Sequence, residues 1–150
     1  MAEKTKLTVP GDELSAEKLT ALFDEAQVPV GPGPEGMNNI VVDMGGIPFL
    51  IDAHPEQHAI KIWTARELDP DETPYDLAVK SANAFNERFL LVRNFIYQDP
   101  ADLQNYRAVW DHDRLVDQAG LSSAELVMTL TRVAEILHHA LGTASDSADA

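Results

Sequence analysis

The sequence predicts a single α+β domain in which helices pack on an antiparallel sheet. Apolar residues recur with the period of a helix in three separated segments. Between those segments lie shorter stretches of alternating apolar residues, joined by glycine, proline and aspartate. The predicted order is α-β-β-β-α-β-β-α over residues 15–142, and no internal repeat is evident. A chain of 150 residues suits one such domain.

The first helix is expected to begin after Ser15, a good N-cap residue, and to end near Gln27. Its apolar positions fall on one face, which must pack on something: Leu19, Leu22, Phe23 and Ala26. We expect the segment before it, residues 1–14, to be flexible. The sequence GPGPEG at residues 31–36 is a turn-rich connector, because proline fixes φ and glycine accepts unusual φ values.

Three strands follow the connector, and the first two form a hairpin with Gly45-Gly46 as its two-residue turn. That turn sets Met44 opposite Ile47, and it sets the pairs Val42/Phe49 and Ile40/Ile51 on one wholly apolar face. The other face is mixed. Val41, Leu50 and Trp63 on it are a candidate interface, with partial cover by the protein's own segments as the alternative.

The second helix is expected to begin with Thr73 as N-cap and Pro74 at its first position. Small residues such as Ala78 and Ala82 let it approach a neighbour closely. Two strands, near residues 90–98 and 106–113, come next, and the alternation in the first leaves its inner face undecided.

The last helix begins with a capping box formed by Ser122 and Glu125, and a leucine-rich stripe follows it. Gly142 is expected to end the helix, because glycine is the usual stop. Residues 143–150 are small and polar or acidic, so we expect a disordered acidic tail.

The composition excludes several classes of function. Twenty-five acidic residues against 11 basic ones give a formal charge of −14, which repels phosphate backbones and anionic lipid. We therefore expect no nucleic-acid or membrane partner. The charge favours a cationic partner, and the alternative is that it only keeps a cytoplasmic protein soluble. No signal peptide or membrane span is expected. Cysteine is absent, which excludes thiolate chemistry and fits a cytoplasmic location.

Motifs for chemistry are weak. GPGPEG matches the dinucleotide fingerprint G-x-G-x-x-G, but its prolines remove N–H donors and a strand, not a helix, is predicted to follow. The five histidines do not repeat a ligand spacing of known metal sites. We expect no cofactor, no metal site and no catalytic residues, and hence a protein that is not an enzyme.

Three polar side chains in or after the second helix, together with one tryptophan, are further candidate binding residues: Asn83, Asn86, Arg93 and Trp110. Asn83 and Asn86 either recognise a ligand or cap backbone groups. Arg93 needs a partner such as Asp111 or Glu87 if it is buried, whereas an exposed Trp110 beside it would form a binding patch.

The small-residue helix segment LAVKSANAFN at residues 77–86, the apolar strand after it and Gly120-Leu121-Ser122 resemble landmarks of the YbjN-like family. That family is described as bacterial sensory transduction regulators, with a fold similar to type III secretion chaperones. The resemblance covers roughly residues 15–141. It implies a non-enzymatic, chaperone-like or regulatory protein, often a dimer.

Two hypotheses follow. The first is a homodimeric binding module that captures a protein or peptide segment. The second is an enzyme or ligand-responsive regulator with a polar site built from Asn83, Asn86, Arg93 and Asp111, which requires those side chains to converge in one pocket.

Overall fold

The computed structural model describes residues 6–148, with side chains to residue 142. The chain divides into two compact units. The first unit combines Met1–Ile62 with Asp113–Ala134, and the second combines Trp63–His112 with Glu135–Ala150. The predicted α+β class and the predicted order of the eight longer elements are confirmed.

The described residues form three α-helices, eight strands and two short 3₁₀ turns. In chain order they are β1 (Thr8–Val9), a 3₁₀ turn (Gly11–Glu13), α1 (Ala16–Glu25), β2 (Gly31–Pro32), β3 (Asn39–Met44), β4 (Ile47–His54), a 3₁₀ turn (Pro55–Gln57), β5 (Ala59–Glu67), α2 (Tyr75–Arg88), β6 (Arg93–Asp99), β7 (Asp102–Leu115), β8 (Leu121–Ser122) and α3 (Ser123–Ala148).

Six strands form the larger sheet, in the order β2-β3-β4-β5-β7-β6. The pairs β2/β3, β3/β4 and β6/β7 are antiparallel. Strands β1 and β8 form a separate two-stranded sheet. Strand β6 is therefore an edge strand, and this position decides what its backbone can bind.

In the first unit, the hairpin register is the one that the glycine turn predicts. Met44 pairs with Ile47, and the pairs Val42/Phe49 and Ile40/Ile51 follow. Gly45 and Gly46 both have positive φ, which suits the tight turn that joins twisted strands. The predicted apolar face is buried: Ile40, Val42, Phe49, Ile51, Ile60 and Ile62.

Helix α1 begins where its cap predicts. The Ser15 hydroxyl accepts a hydrogen bond from the Lys18 backbone N–H, and the Asn38 side chain accepts one from Ala16. Leu19, Leu22 and Phe23 are fully buried. The helix thus buries the predicted apolar face, and two of its first-turn N–H donors already have partners.

Within the segment 1–14, residues 8–13 include a strand and a 3₁₀ turn, and residues 1–5 lie outside the described part of the chain. The expected flexibility of this segment stays a prediction. Thr8 and Val9 pair with Ser122 and Leu121. Val9 and Leu14 are buried. Burial of these two apolar side chains and the backbone pairing offset the entropy lost on ordering the segment.

In the second unit, α2 packs closely on β6 because Ala78 and Ala82 are buried and small. The helix starts one residue later than predicted, with Pro74 rather than Thr73 at the N-cap. The Thr73 carbonyl instead accepts a hydrogen bond from the Tyr106 hydroxyl. The structure also decides the inner face of β6, where Asn94 is buried and Arg93 is exposed.

Helix α3 begins with the predicted capping residues, since the Ser122 hydroxyl accepts from the Glu125 N–H and donates to its carboxylate. Its buried stripe includes Leu126, Leu130, Val133 and Leu137. The predicted stop at Gly142 is wrong, because the helix continues to Ala148. Gly142 is not among the glycines with positive φ, so it does not form the left-handed cap. The predicted disorder of residues 143–150 stays a prediction, and residues 149–150 lie outside the described range.

The GPGPEG connector is held against β3. Gly31 and Pro32 pair with Val41 and Ile40 as strand β2. A side chain on Gly33 would collide with the buried Asn39 side chain, since its Cβ would lie 2.8 Å from Asn39 Cγ. Glycine at this position is therefore a packing requirement.

Replacement of Gly33 by alanine should destabilise the protein by about 1–3 kcal/mol, because the added methyl group overpacks the contact with Asn39. Gly31→Ala is the matched control, since its Cβ meets nothing closer than the Val41 carbonyl oxygen at 3.9 Å. Its free energy of unfolding should change by no more than about 0.5 kcal/mol. Urea denaturation of both variants measures this difference, and equal midpoints would contradict the packing account.

Candidate functional site

A groove between α2 and β6 contains three of the predicted site residues. Its volume is about 300 Å³, at the lower end of the range of roughly 300–1,000 Å³ for small-molecule pockets. One side of α2 and the first half of β6 line it: Tyr75, Val79, Ala82, Asn83, Asn86, Arg93, Asn94, Phe95 and Ile96. All of these residues belong to the second unit.

Asn86 joins the helix to the edge of the sheet. Its side-chain nitrogen donates to the Asn94 carbonyl oxygen at 2.7 Å, and its side-chain oxygen accepts from the Asn94 N–H at 2.7 Å. A carboxamide can make both bonds at once because it carries a donor and an acceptor side by side, as a peptide group does. Asn86 therefore takes the place of a neighbouring strand at Asn94.

Arg93 is exposed, and it is paired with Asp111 across β6 and β7. Its Nε donates to one carboxylate oxygen at 3.0 Å and a terminal nitrogen donates to the other at 2.7 Å. The Asp111 side chain is 3% exposed and that of Arg93 is 59% exposed. The guanidinium also lies 5.3 Å from the centroid of the Phe95 ring. This bidentate pair compensates the buried carboxylate.

The four polar residues of the second sequence hypothesis converge in part. Asn83, Asn86 and Arg93 line one groove, and Asp111 contacts that group through Arg93. Asn86 and Arg93 already bond to groups of the protein itself. Asn83 is exposed, and none of the hydrogen bonds found within residues 6–148 uses its side chain. The groove offers hydrogen bonding and apolar contact.

Trp110 is only 7% exposed and lies opposite Asn94. The structure therefore adopts the inward alternative for this side chain. Val41 and Leu50 pair directly across β3 and β4, and both are half-buried. Trp63 is half-buried in β5. A binding role for these three residues stays a prediction.

Sequence reasoning missed a set of exposed apolar side chains in the second unit. Leu90 is 98% exposed. The others lie in α2, just before β6, and in β6 and β7: Tyr75, Leu77, Leu91, Tyr97 and Leu103. Leu77 could have been found, because it falls outside the apolar face of the second helix. The exposure of Leu90 could not have been found in this way, because the sequence predicts that the strand begins at this residue.

Elsewhere, the described part of the chain contains further grooves but no cluster of metal-binding side chains. No group of three histidine, aspartate or glutamate side chains able to hold a metal ion occurs among the described residues. A groove of about 450 Å³ in the first unit contains Arg114, whose guanidinium donates to Thr129 and Glu125. Another, of about 460 Å³, lies beside GPGPEG, and a strand follows this loop as predicted.

None of the described helices is both long and apolar enough to cross a membrane.

Comparison with known proteins supports the fold. No family model matches the chain, and no curated protein matches it. A crystal structure of YbjN from E. coli, described as a candidate transcription regulator, superposes with a TM-score of 0.68 at 16% sequence identity. The match covers 87% of this chain and 91% of that chain. The chain therefore has a YbjN-like fold, as the sequence landmarks indicate.

Asn86→Ala should destabilise the protein by about 1–3 kcal/mol, because both backbone groups of Asn94 lose their side-chain partner. Asn83→Ala, on the same helix, removes an exposed amide of the same size and should cost no more than about 0.5 kcal/mol. Chemical denaturation of the two variants provides the comparison. An equal loss of stability would show that Asn86 does not hold α2 to β6.

Ionisation of Tyr106 should limit stability at alkaline pH. Burial, and then the carboxylates of Asp69 and Asp71, raise the pKa of Tyr106 above its ordinary value of 10.0. As pH rises, the Tyr106 hydroxyl of the unfolded chain therefore loses its proton before that of the folded protein does. The contribution of protonated Tyr106 to the free energy of unfolding is complete below the ordinary pKa, and it is lost as pH rises through the raised pKa.

Tyr106→Phe should have a shallower decline in the free energy of unfolding between about pH 9 and pH 11 than the natural protein. Tyr97→Phe is the control, because Tyr97 is exposed. Urea titrations at several pH values test this difference. Parallel declines for all three proteins would contradict it.

Proposed function

We propose that this protein is a non-enzymatic regulatory protein of the cytoplasm that binds an extended protein or peptide segment and acts as a homodimer. The proposal rests on which groups of the α2/β6 groove are already hydrogen-bonded within the protein. Asn86 and Arg93 are already bonded within the protein, while apolar and backbone surface remains accessible beside them. Such a surface suits recognition of a polypeptide more than chemical catalysis.

Charge and exposed apolar surface indicate the kind of partner. A formal charge of −14 favours a basic segment and disfavours nucleic acid and anionic lipid. The apolar residues Leu77, Leu90 and Tyr97 are exposed in the same unit as the groove. Exposed apolar residues of this kind are common in surfaces that a partner or second copy covers. The E. coli protein of the same fold is described as a candidate regulator, which agrees with a regulatory role.

A change of charge inside the groove should weaken binding of a basic peptide. Val79 lines the groove and is half-buried, whereas Ser81 on the same helix is exposed and does not line it. Val79→Lys should weaken binding of a labelled basic peptide with alternating apolar residues by about tenfold or more. Ser81→Lys adds the same charge and should change the affinity by less than about threefold.

Fluorescence anisotropy measures the affinities, and sedimentation velocity gives the oligomeric state. A scrambled acidic peptide of the same length is the control ligand. A monomeric protein that binds neither peptide would contradict the proposed function.

A ligand-responsive regulator is the second candidate, because Asn83, Asn86 and Arg93 line one groove. In that case a small polar molecule should raise the midpoint of thermal unfolding, and Asn83→Ala should abolish the rise without changing the free protein. Binding of the basic peptide with no response to polar metabolites would favour the first proposal.

A further inference from the structure

The direction of the backbone groups of β6 follows from one hydrogen bond of β7 and from the register of β6 on β7. The Tyr106 carbonyl accepts from the Leu68 N–H, so it points away from β6 and toward β5. Tyr106 lies opposite Gln98, which makes Gln98/Tyr106 a pair that exchanges no ladder hydrogen bonds. The backbone groups of residues two apart on a strand point to the same side. The N–H and C=O groups of Asn94, Ile96 and Gln98 therefore all point to the open edge.

Asn86 closes this edge at one residue. The hydrogen bonds that Asn86 makes to both backbone groups of Asn94 confirm that those groups point outward. Ile96, two residues further along, has no such side-chain partner among the hydrogen bonds described for residues 6–148, and it lines the groove. The Gln98 side chain donates to the Leu103 carbonyl, and among the described residues β6 has no further strand beside it that could pair with the outward backbone groups of Gln98.

We propose that a basic partner polypeptide adds to β6 as an extended strand, pairing with the outward backbone groups of Ile96 and Gln98 and stopping at Asn86. This inference rests on the proposed function and identifies its binding site. An unpaired edge strand is a template for such addition. The Asn86 carboxamide already occupies Asn94, so it sets the register at which pairing ends.

The charge around the open end defines the partner. Asp99 ends β6 directly after the open residues, and Asp102 begins β7 on the other side of the turn. The carboxylates of Asp69 and Asp71 act on Tyr106, which lies opposite Gln98, so their negative potential reaches this end of the strand pair. Lysine or arginine beside the pairing residues is therefore favoured. At this edge, a second copy of this chain, with its charge of −14, is electrostatically less suitable than a basic segment.

Apolar side chains of the added strand have a place to pack. Alternate residues of a strand point to the same face, and Val79 and Ile96 form an apolar wall of the groove next to the open edge. Asn83, exposed on the helix above, supplies an amide that can bond to a polar group of the partner. The partner is thus an extended segment with alternating apolar residues and basic ends.

The test uses a synthetic peptide, acetyl-Lys-Val-Thr-Ile-Thr-Val-Lys-amide, with the full-length protein. Binding should slow amide hydrogen exchange at Ile96 and Gln98, measured by NMR, and leave the Asn94 amide unchanged because Asn86 already protects it. Methylation of the peptide nitrogens on one set of alternate residues should weaken binding by about tenfold or more, while methylation of the other set should not.

Gln98→Pro removes the outward backbone N–H from the protein, as methylation removes one from the peptide. Proline is tolerated on an edge strand where its nitrogen faces outward. It should lose about tenfold or more in affinity. Gln98→Ala loses the same bond to Leu103 but keeps the backbone N–H, and it should bind as the natural protein does.

The outcomes are distinct. Equal binding by Gln98→Pro, Gln98→Ala and both methylated peptides would overturn edge pairing and leave the proposed function standing. Binding of no peptide at all would contradict the proposed function itself. Protection of Ile96 and Gln98 that rises with protein concentration in the absence of peptide would show that a second copy occupies the edge, and would overturn the basic partner.

Discussion

The double hydrogen bond between the Asn86 side chain and the Asn94 backbone is the constraint on which the second unit depends. It fixes the helix to the edge strand at one point along both elements. The small residues Ala78 and Ala82 then allow close packing between the helix and the sheet. With a larger apolar residue at position 86, the outward peptide groups of Asn94 would lose these partners, at a cost comparable to a lost hydrogen bond.

The same bond shapes the surface that remains. Because Asn86 and Arg93 are occupied by Asn94 and Asp111, the groove beside them presents backbone groups, apolar walls and one exposed amide. The outward backbone groups of β6 are occupied at Asn94 and open at Ile96. Such an edge favours a partner strand of defined length and register over unlimited pairing. Fold and proposed function are thus linked through one side chain.

Sequence reasoning predicts the elements whose causes are local. The glycine turn determines the hairpin register, and the Ser15 and Ser122 caps determine the starts of two helices. Elements that depend on distant partners are missed, as with the strand Thr8–Val9, which pairs with residues more than a hundred positions away. The site is predicted only in part. The residue types and positions of Asn86 and Arg93 indicate candidate binding residues, but their bonding partners depend on the packing of α2 and β7 against β6.

Hydrogen exchange at the individual amides of β6 in the protein without any ligand tests the central claim most directly. The account predicts that the Asn94 amide is strongly protected by Asn86, that the Ile96 and Gln98 amides exchange quickly, and that Asn86→Ala brings Asn94 to the rate of Ile96. Equal and fast exchange at Asn94 and Ile96 in the natural protein would contradict it.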